Sequence, residues 1–125
     1  MTRPFKIRER LRSFTFAFAG LWTMLKTQHS AWIHTVATLI VIAGGVFFSL
    51  AASEWCWVTL AIMAVWSAEA LNTAFEFLAD VVSPEFHPLV KHSKDVAAGA
   101  VLISAIGSCI IGVLIFGPHI IQWMK

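Results

Sequence analysis

Three apolar blocks, residues 31–52, 55–75 and 96–116, constrain this chain more than any other feature. Each is close to the roughly 20 residues that an α-helix needs to cross the hydrocarbon of a bilayer. Lipid offers the backbone no hydrogen-bond partners, so spans of this kind must be helical. The composition agrees: 58% of the residues are hydrophobic and 13% charged, and the mean hydropathy is +0.78. A soluble domain carries about 25% charged residues. The 125 residues therefore read as one all-α integral membrane domain spanning 1–125. The basic start is not followed directly by a short apolar core and a small-residue cleavage site, so no cleavable signal peptide is expected.

Ahead of the blocks, residues 3–28 read as an amphipathic helix. Ile7, Leu11, Phe14, Phe18, Leu21 and Leu25 fall 4, 3, 4, 3 and 4 apart, one apolar stripe, with Arg8, Glu9 and Arg12 away from it. Such a helix lies in the membrane interface with its basic residues against anionic headgroups. Six of the nine Lys and Arg residues are in this arm (Arg3, Lys6, Arg8, Arg10, Arg12 and Lys26), and Lys91 and Lys94 are in the second loop. The first loop, read as Ser53-Glu54, has none. The positive-inside rule then places the N-terminus and the Pro84–Asp95 loop in the cytoplasm and the C-terminus outside. Gly44-Gly45 is expected to allow a close helix contact or a kink. Pro84 and Pro88 mark a break, and Gly117-Pro118 is read as the end of the third span. Cys56 and Cys109 lie in apolar runs and are expected as buried free thiols. His34, near the start of the first block, reads as a structural hydrogen-bonding residue rather than a ligand.

The second block does not end cleanly. Glu69, Asn72, Glu76 and Asp80 fall at roughly 0°, 300°, 340° and 20° around a helix, with Thr73 beside them at about 40°. This polar stripe starts inside hydrocarbon and climbs roughly 16 Å toward water. A carboxylate in a span is costly and marks a functional site by default. The plainer alternative is a row of solvated charges on a helix that has left the bilayer, which suits Asp80 far better than Glu69.

Three carboxylates on one face, opposite Lys94 and Asp95 of the loop, suit Mg²⁺ and phosphate, because Mg²⁺ takes oxygen ligands and shares them with substrate phosphates. Lys94 can neutralise phosphate charge, and Asn72 can orient an oxygen. A deep carboxylate such as Glu69 suits a general base acting on a hydroxyl presented by a lipid. The residues alone thus fit phosphoryl transfer onto a membrane alcohol. They also leave open a small proton-coupled carrier, since membrane carboxylates mark those too, and a non-catalytic anchor or assembly factor. No GxxxxGK[ST] loop is present, and His87 and His92 have no cysteine partners at a zinc spacing. The basic arm is explained by lipid headgroups, so no nucleic-acid partner is expected.

The run Glu69-Ala70-Leu71-Asn72-Thr73-Ala74-Phe75-Glu76, then Asp80, then Lys91-His92-Ser93-Lys94-Asp95-Val96-Ala97-Ala98-Gly99-Ala100-Val101-Leu102 resembles the signature of the prokaryotic diacylglycerol kinase and undecaprenol kinase family. The resemblance covers nearly the whole chain. It implies a homotrimeric bacterial inner-membrane kinase that moves the γ-phosphate of ATP, with Mg²⁺, to the hydroxyl of diacylglycerol or undecaprenol. Its active sites would lie between subunits. Carried over by position, Glu69 resembles the catalytic base that meets the lipid and Glu76 a metal ligand. Asn72, Glu76, Lys94 and Asp95 resemble the groups holding nucleotide and phosphates, with Asp80 supporting the nucleotide side. One position departs. Where many members have Gly-Leu, then Glu seven residues on and His six further, this chain has Gly20-Leu21, Gln28 and His34. Gln28 offers Mg²⁺ an uncharged and weaker oxygen. The Gln28–His34 stretch is more similar to the undecaprenol-type members.

Overall fold

All regular backbone pairing among the described residues is helical. The computed structural model describes residues 4–125; Arg3, where the first helix was expected to begin, lies outside them. Four helices follow in order: α1 Ile7–Thr27, α2 His29–Phe47, α3 Ala52–Val82 and α4 Pro88–Trp123. The last three are long and apolar enough to cross a membrane.

α1 starts later than its periodicity suggests, with Lys6 as the capping residue and the N–H groups of Glu9 and Arg10 donating to its carbonyl. A single extended residue, Gln28 (φ −112°, ψ 118°), separates α1 from α2. Met24 is the buried residue of α1, whereas Phe14, Phe16 and Phe18 are exposed.

The turn between α2 and α3 is not at Ser53-Glu54, which belong to the first turn of α3; it spans residues 48–51. Ser49 takes a left-handed conformation (φ 52°), and Leu50 N–H reaches back to Gly45 O at 3.1 Å. Glu54 completes the turn by accepting from Ala51 N–H at 2.9 Å. The apolar run continues straight through this turn, so hydropathy could not locate it. Gly45 serves close contact, as the glycine pair suggested. A Cβ there would lie 2.5 and 2.7 Å from atoms of the Trp55 indole.

α3 packs mainly on α4, and α2 touches α3 less. Leu50, Val58 and Ile115 form the core, with Val41, Trp55 and Phe116 among the side chains around it. Hydrogen bonds from Ser108 Oγ to Ala61 O at 3.1 Å and from Trp66 Nε1 to Thr38 Oγ1 at 2.9 Å tie α4 to α3 and α3 to α2. Pro118 does not stop α4, which continues to Trp123. Proline removes one backbone donor, and the last turn is anchored from outside by His119 Nε2 at 2.9 Å from Glu54 Oε1 and by Trp123 against Phe47. Cys56 and Cys109 are free but exposed on this chain, because helices this apolar also present apolar residues outward. Residues such as Leu71, Val96, Ile103 and Val113 likewise face away from the chain's own core.

Candidate active site

The stripe of α3 divides as it rises. At its deep end Glu69 is 1% exposed, Thr73 3% and Asn72 8%. α2 faces it with Ser30, His34 and Thr38, spaced i, i+4 and i+8 and therefore on one side of the helix. Ser30 Oγ donates a hydrogen bond to Glu69 Oε1. His34 Nε2 lies 3.3 Å from Glu69 Oε2. The His34 ring meets the edge of Trp66 at 6.4 Å, and Trp66 is in turn tied to Thr38. The only carboxylate buried among the described residues is thus engaged by α2 on both oxygens.

One turn higher, Asn72 Nδ2 donates to Glu76 Oε1 at 3.4 Å. Asn72 Oδ1 and Thr73 Oγ1 are buried with no partner among the described residues. Buried polar atoms are almost always hydrogen-bonded, so each such orphan calls for an explanation.

At the top, the corner between α3 and α4 holds an open cavity of about 350 Å³ lined by Asp80, Glu85, His87, Lys91, Lys94 and Asp95 among others. Lys94 Nζ pairs with Asp80 Oδ1 at 3.2 Å, and Lys91 Nζ with Asp95 Oδ2 at 2.6 Å. Asp95 is in the exposed polar turns of α4 ahead of the apolar stretch that begins at Val96, and the Lys91 hydrogen bond holds its carboxyl below the usual carboxylate range. His87 caps α4 by accepting from Leu89 N–H at 3.2 Å, with Pro88 at the first helical position.

The residues singled out from the sequence therefore form two groups. Glu69, Asn72 and Glu76 run together along α3, while Asp80, Lys94 and Asp95 line the corner cavity. Gln28 sits at the α1–α2 junction, where its N–H donates to Met24 O at 2.9 Å. No hydrogen bond joins its side chain to Glu76 among the described residues. Ser30 and Lys91 were not singled out as site residues, and His34 contacts Glu69 where only a structural role was expected. The available signal was polar residues at helical spacing in an otherwise apolar block.

Fold and site together define an all-helical membrane protein with an acidic centre walled by its own apolar helices. The family model for prokaryotic diacylglycerol kinase matches residues 15–116. An undecaprenol kinase of Bacillus subtilis is 40% identical over 109 residues, covering 87% of this chain and 89% of that protein. A diacylglycerol kinase of Synechocystis is 36% identical over 115 residues, covering 91% of this chain and 66% of the relative. A diacylglycerol kinase of Helicobacter pylori is 28% identical over 109 residues, covering 82% and 85%. The chain belongs to the prokaryotic diacylglycerol kinase family. It is a lipid kinase of the inner membrane.

Proposed function

We propose that this kinase transfers the γ-phosphate of ATP to undecaprenol, with Glu69 as the base. The observation that carries the base assignment is the Glu69 carboxylate itself, buried among apolar helices and held by Ser30 and His34. A carboxylate at that depth meets a hydroxyl delivered from the lipid side. It takes the hydroxyl proton as the oxygen attacks the γ-phosphorus and ADP departs. Lys94 offsets charge on the phosphates, and Asp95 and Asp80 hold the nucleotide side of the corner. Such catalysis is mostly positioning and charge neutralisation. Undecaprenol is favoured by the Bacillus subtilis relative, which aligns over nearly the full length of both chains. Diacylglycerol is the second reading, supported by the Synechocystis relative.

The residues present fit Mg²⁺. The unpartnered Asn72 Oδ1 and the Glu76 carboxylate beside it are hard oxygen donors of the kind Mg²⁺ takes, and substrate phosphates complete such a shell. Glu76 and Asn72 would hold the ion, with Gln28 as a weaker neutral donor. When bound, it would neutralise charge on the transferring phosphates.

The domain runs over 1–125, with α1 on the cytoplasmic membrane surface, the three spans in α2, α3 and α4, the N-terminus inside and the C-terminus outside. Three copies assemble, so that outward apolar faces are covered and groups separated within one chain close around both substrates. The test is transfer of labelled γ-phosphate from ATP in nanodiscs holding either undecaprenol or diacylglycerol. Label in undecaprenyl phosphate is expected. Label only in phosphatidate would move the assignment to the second reading, and label in neither lipid would refute both.

A further inference from the structure

Glu69 is 1% exposed, so its proton must leave through a neighbouring group. After each transfer Glu69 would stay protonated and inert until something removed that proton. The geometry points to His34 as the residue that resets it: we propose that His34 accepts the proton Glu69 has taken from the lipid hydroxyl and passes it to water. Ser30 meanwhile fixes the carboxylate. This inference rests on the reading of Glu69 as the base.

The two oxygens of Glu69 are held differently. Oε1 accepts a hydrogen bond from Ser30, which orients the group. Oε2 faces His34 Nε2 at 3.3 Å, and that nitrogen is buried without a well-aligned hydrogen bond. The contact is close enough for proton exchange yet not locked by a hydrogen bond. The imidazole side chain is 16% exposed against 2% for Glu69, so it forms the next step outward. Its orientation is held by the edge of Trp66, itself anchored to Thr38.

The surroundings add little competing charge. Glu69 on α3 is the one charged group within ion-pair distance of His34 among the described residues. From α4 the titratable group lining the same cavity as His34 is Cys109, and α1 sends no ionisable group into that lining.

The cycle balances. The lipid O–H bond breaks as the new O–P bond forms and the bond from the γ-phosphorus to ADP breaks; the proton goes to Glu69 Oε2. It then moves to Nε2 of the neutral imidazole, restoring the carboxylate and forming imidazolium. The imidazolium gives its Nδ1 proton outward to water, and tautomer exchange through that water then moves the remaining proton from the buried Nε2 to Nδ1, which frees Nε2 for the next cycle. His34 acts through Glu69 and does not touch the lipid, so it is a positioning and relay residue rather than a catalytic one.

The relay makes a prediction that a packing role does not: removing His34 spares the first turnover and slows those that follow. Full-length His34→Ala, His34→Gln and Glu69→Gln are compared with the unaltered chain in nanodiscs containing undecaprenol or diacylglycerol. Product is followed through the first turnover and into steady state. His34→Ala should give a burst of one phosphorylated lipid per site, then a steady rate down by about tenfold or more. Its KM for ATP should not change. Added imidazole, entering beside the cavity of about 160 Å³ that His34 lines, should restore the steady rate in proportion to its neutral form. His34→Gln, which keeps a polar side chain, should show the same burst. A steady rate in both variants within about twofold of the unaltered chain overturns the relay, because removing a proton-transfer group costs far more. So does a first turnover slowed as much as the later ones with no imidazole rescue. Full turnover by Glu69→Gln would instead remove the base on which the relay depends.

Discussion

The deep and upper ends of the α3 stripe use the same residue types for opposite purposes. At Glu69 a carboxylate is sealed from water and met from another helix by the Ser30 hydroxyl, which donates to it, and by the His34 ring. At the corner, Asp80 and Asp95 stand in the open and are each paired with a lysine. Exposed ion pairs contribute little to stability, and their lysines are free to exchange a protein carboxylate for a phosphate. A buried carboxylate is costly in the folded state unless it is hydrogen-bonded, as Glu69 is by Ser30. The difference teaches that depth, not residue type, sets whether an acidic side chain of this stripe is sealed away or paired in the open.

Substitutions can break that division. The largest effect is expected for Glu69→Gln, which keeps the shape and the Ser30 contact but cannot accept a proton. Its kcat should fall by about 10² to 10⁴, the usual contribution of a positioned base, with no loss of thermal stability. A kcat near that of the unaltered chain would take the chemistry away from the deep end. Lys94→Ala should follow, with a loss of about 10² or more in kcat/KM for ATP because phosphate charge goes unmatched. If instead only lipid KM changed, the corner would not be the nucleotide side.

Between the two regions in expected size, and outside both, stands Gly45→Ala. The added methyl meets the Trp55 ring and should lower stability by about 1–3 kcal/mol, read as a lower Tm in detergent. The smallest effect is expected for Lys91→Ala, whose exposed pair with Asp95 should leave Tm indistinguishable from the unaltered chain. Acid sharpens the same point. Asp95 has its folded pKa depressed, so the contribution of its pair is present above the ordinary carboxylate value and is lost as pH falls through the lower folded value. Nucleotide affinity should therefore not change through Asp95 between about pH 6 and 8. A midpoint for Asp95 inside that window, read by NMR, would contradict the pairing.

Much of this was legible in the chain. The stripe from Glu69 to Asp80 could be read because helical periodicity is local, and the signature around it identifies the family. Ser30 and His34 could not be matched to Glu69 in the same way. Their partner is 39 and 35 residues distant, and a helical wheel says nothing about which faces of two helices meet. The turn at 48–51 was hidden for another reason. It runs through apolar residues, and it depends on a left-handed serine and on a side chain, Glu54, that reaches back to it. Pro118 was read as a stop because proline breaks helices, yet here the final turn is held from outside by Glu54 and Phe47.

The most direct test of the division of labour is binding of a non-hydrolysable ATP analogue, with Mg²⁺, to Glu69→Gln and Lys94→Ala in nanodiscs. Glu69→Gln should bind the analogue as the unaltered chain does, and Lys94→Ala should bind it much more weakly. The reverse pattern, with affinity lost at Glu69 and kept at Lys94, would contradict the account.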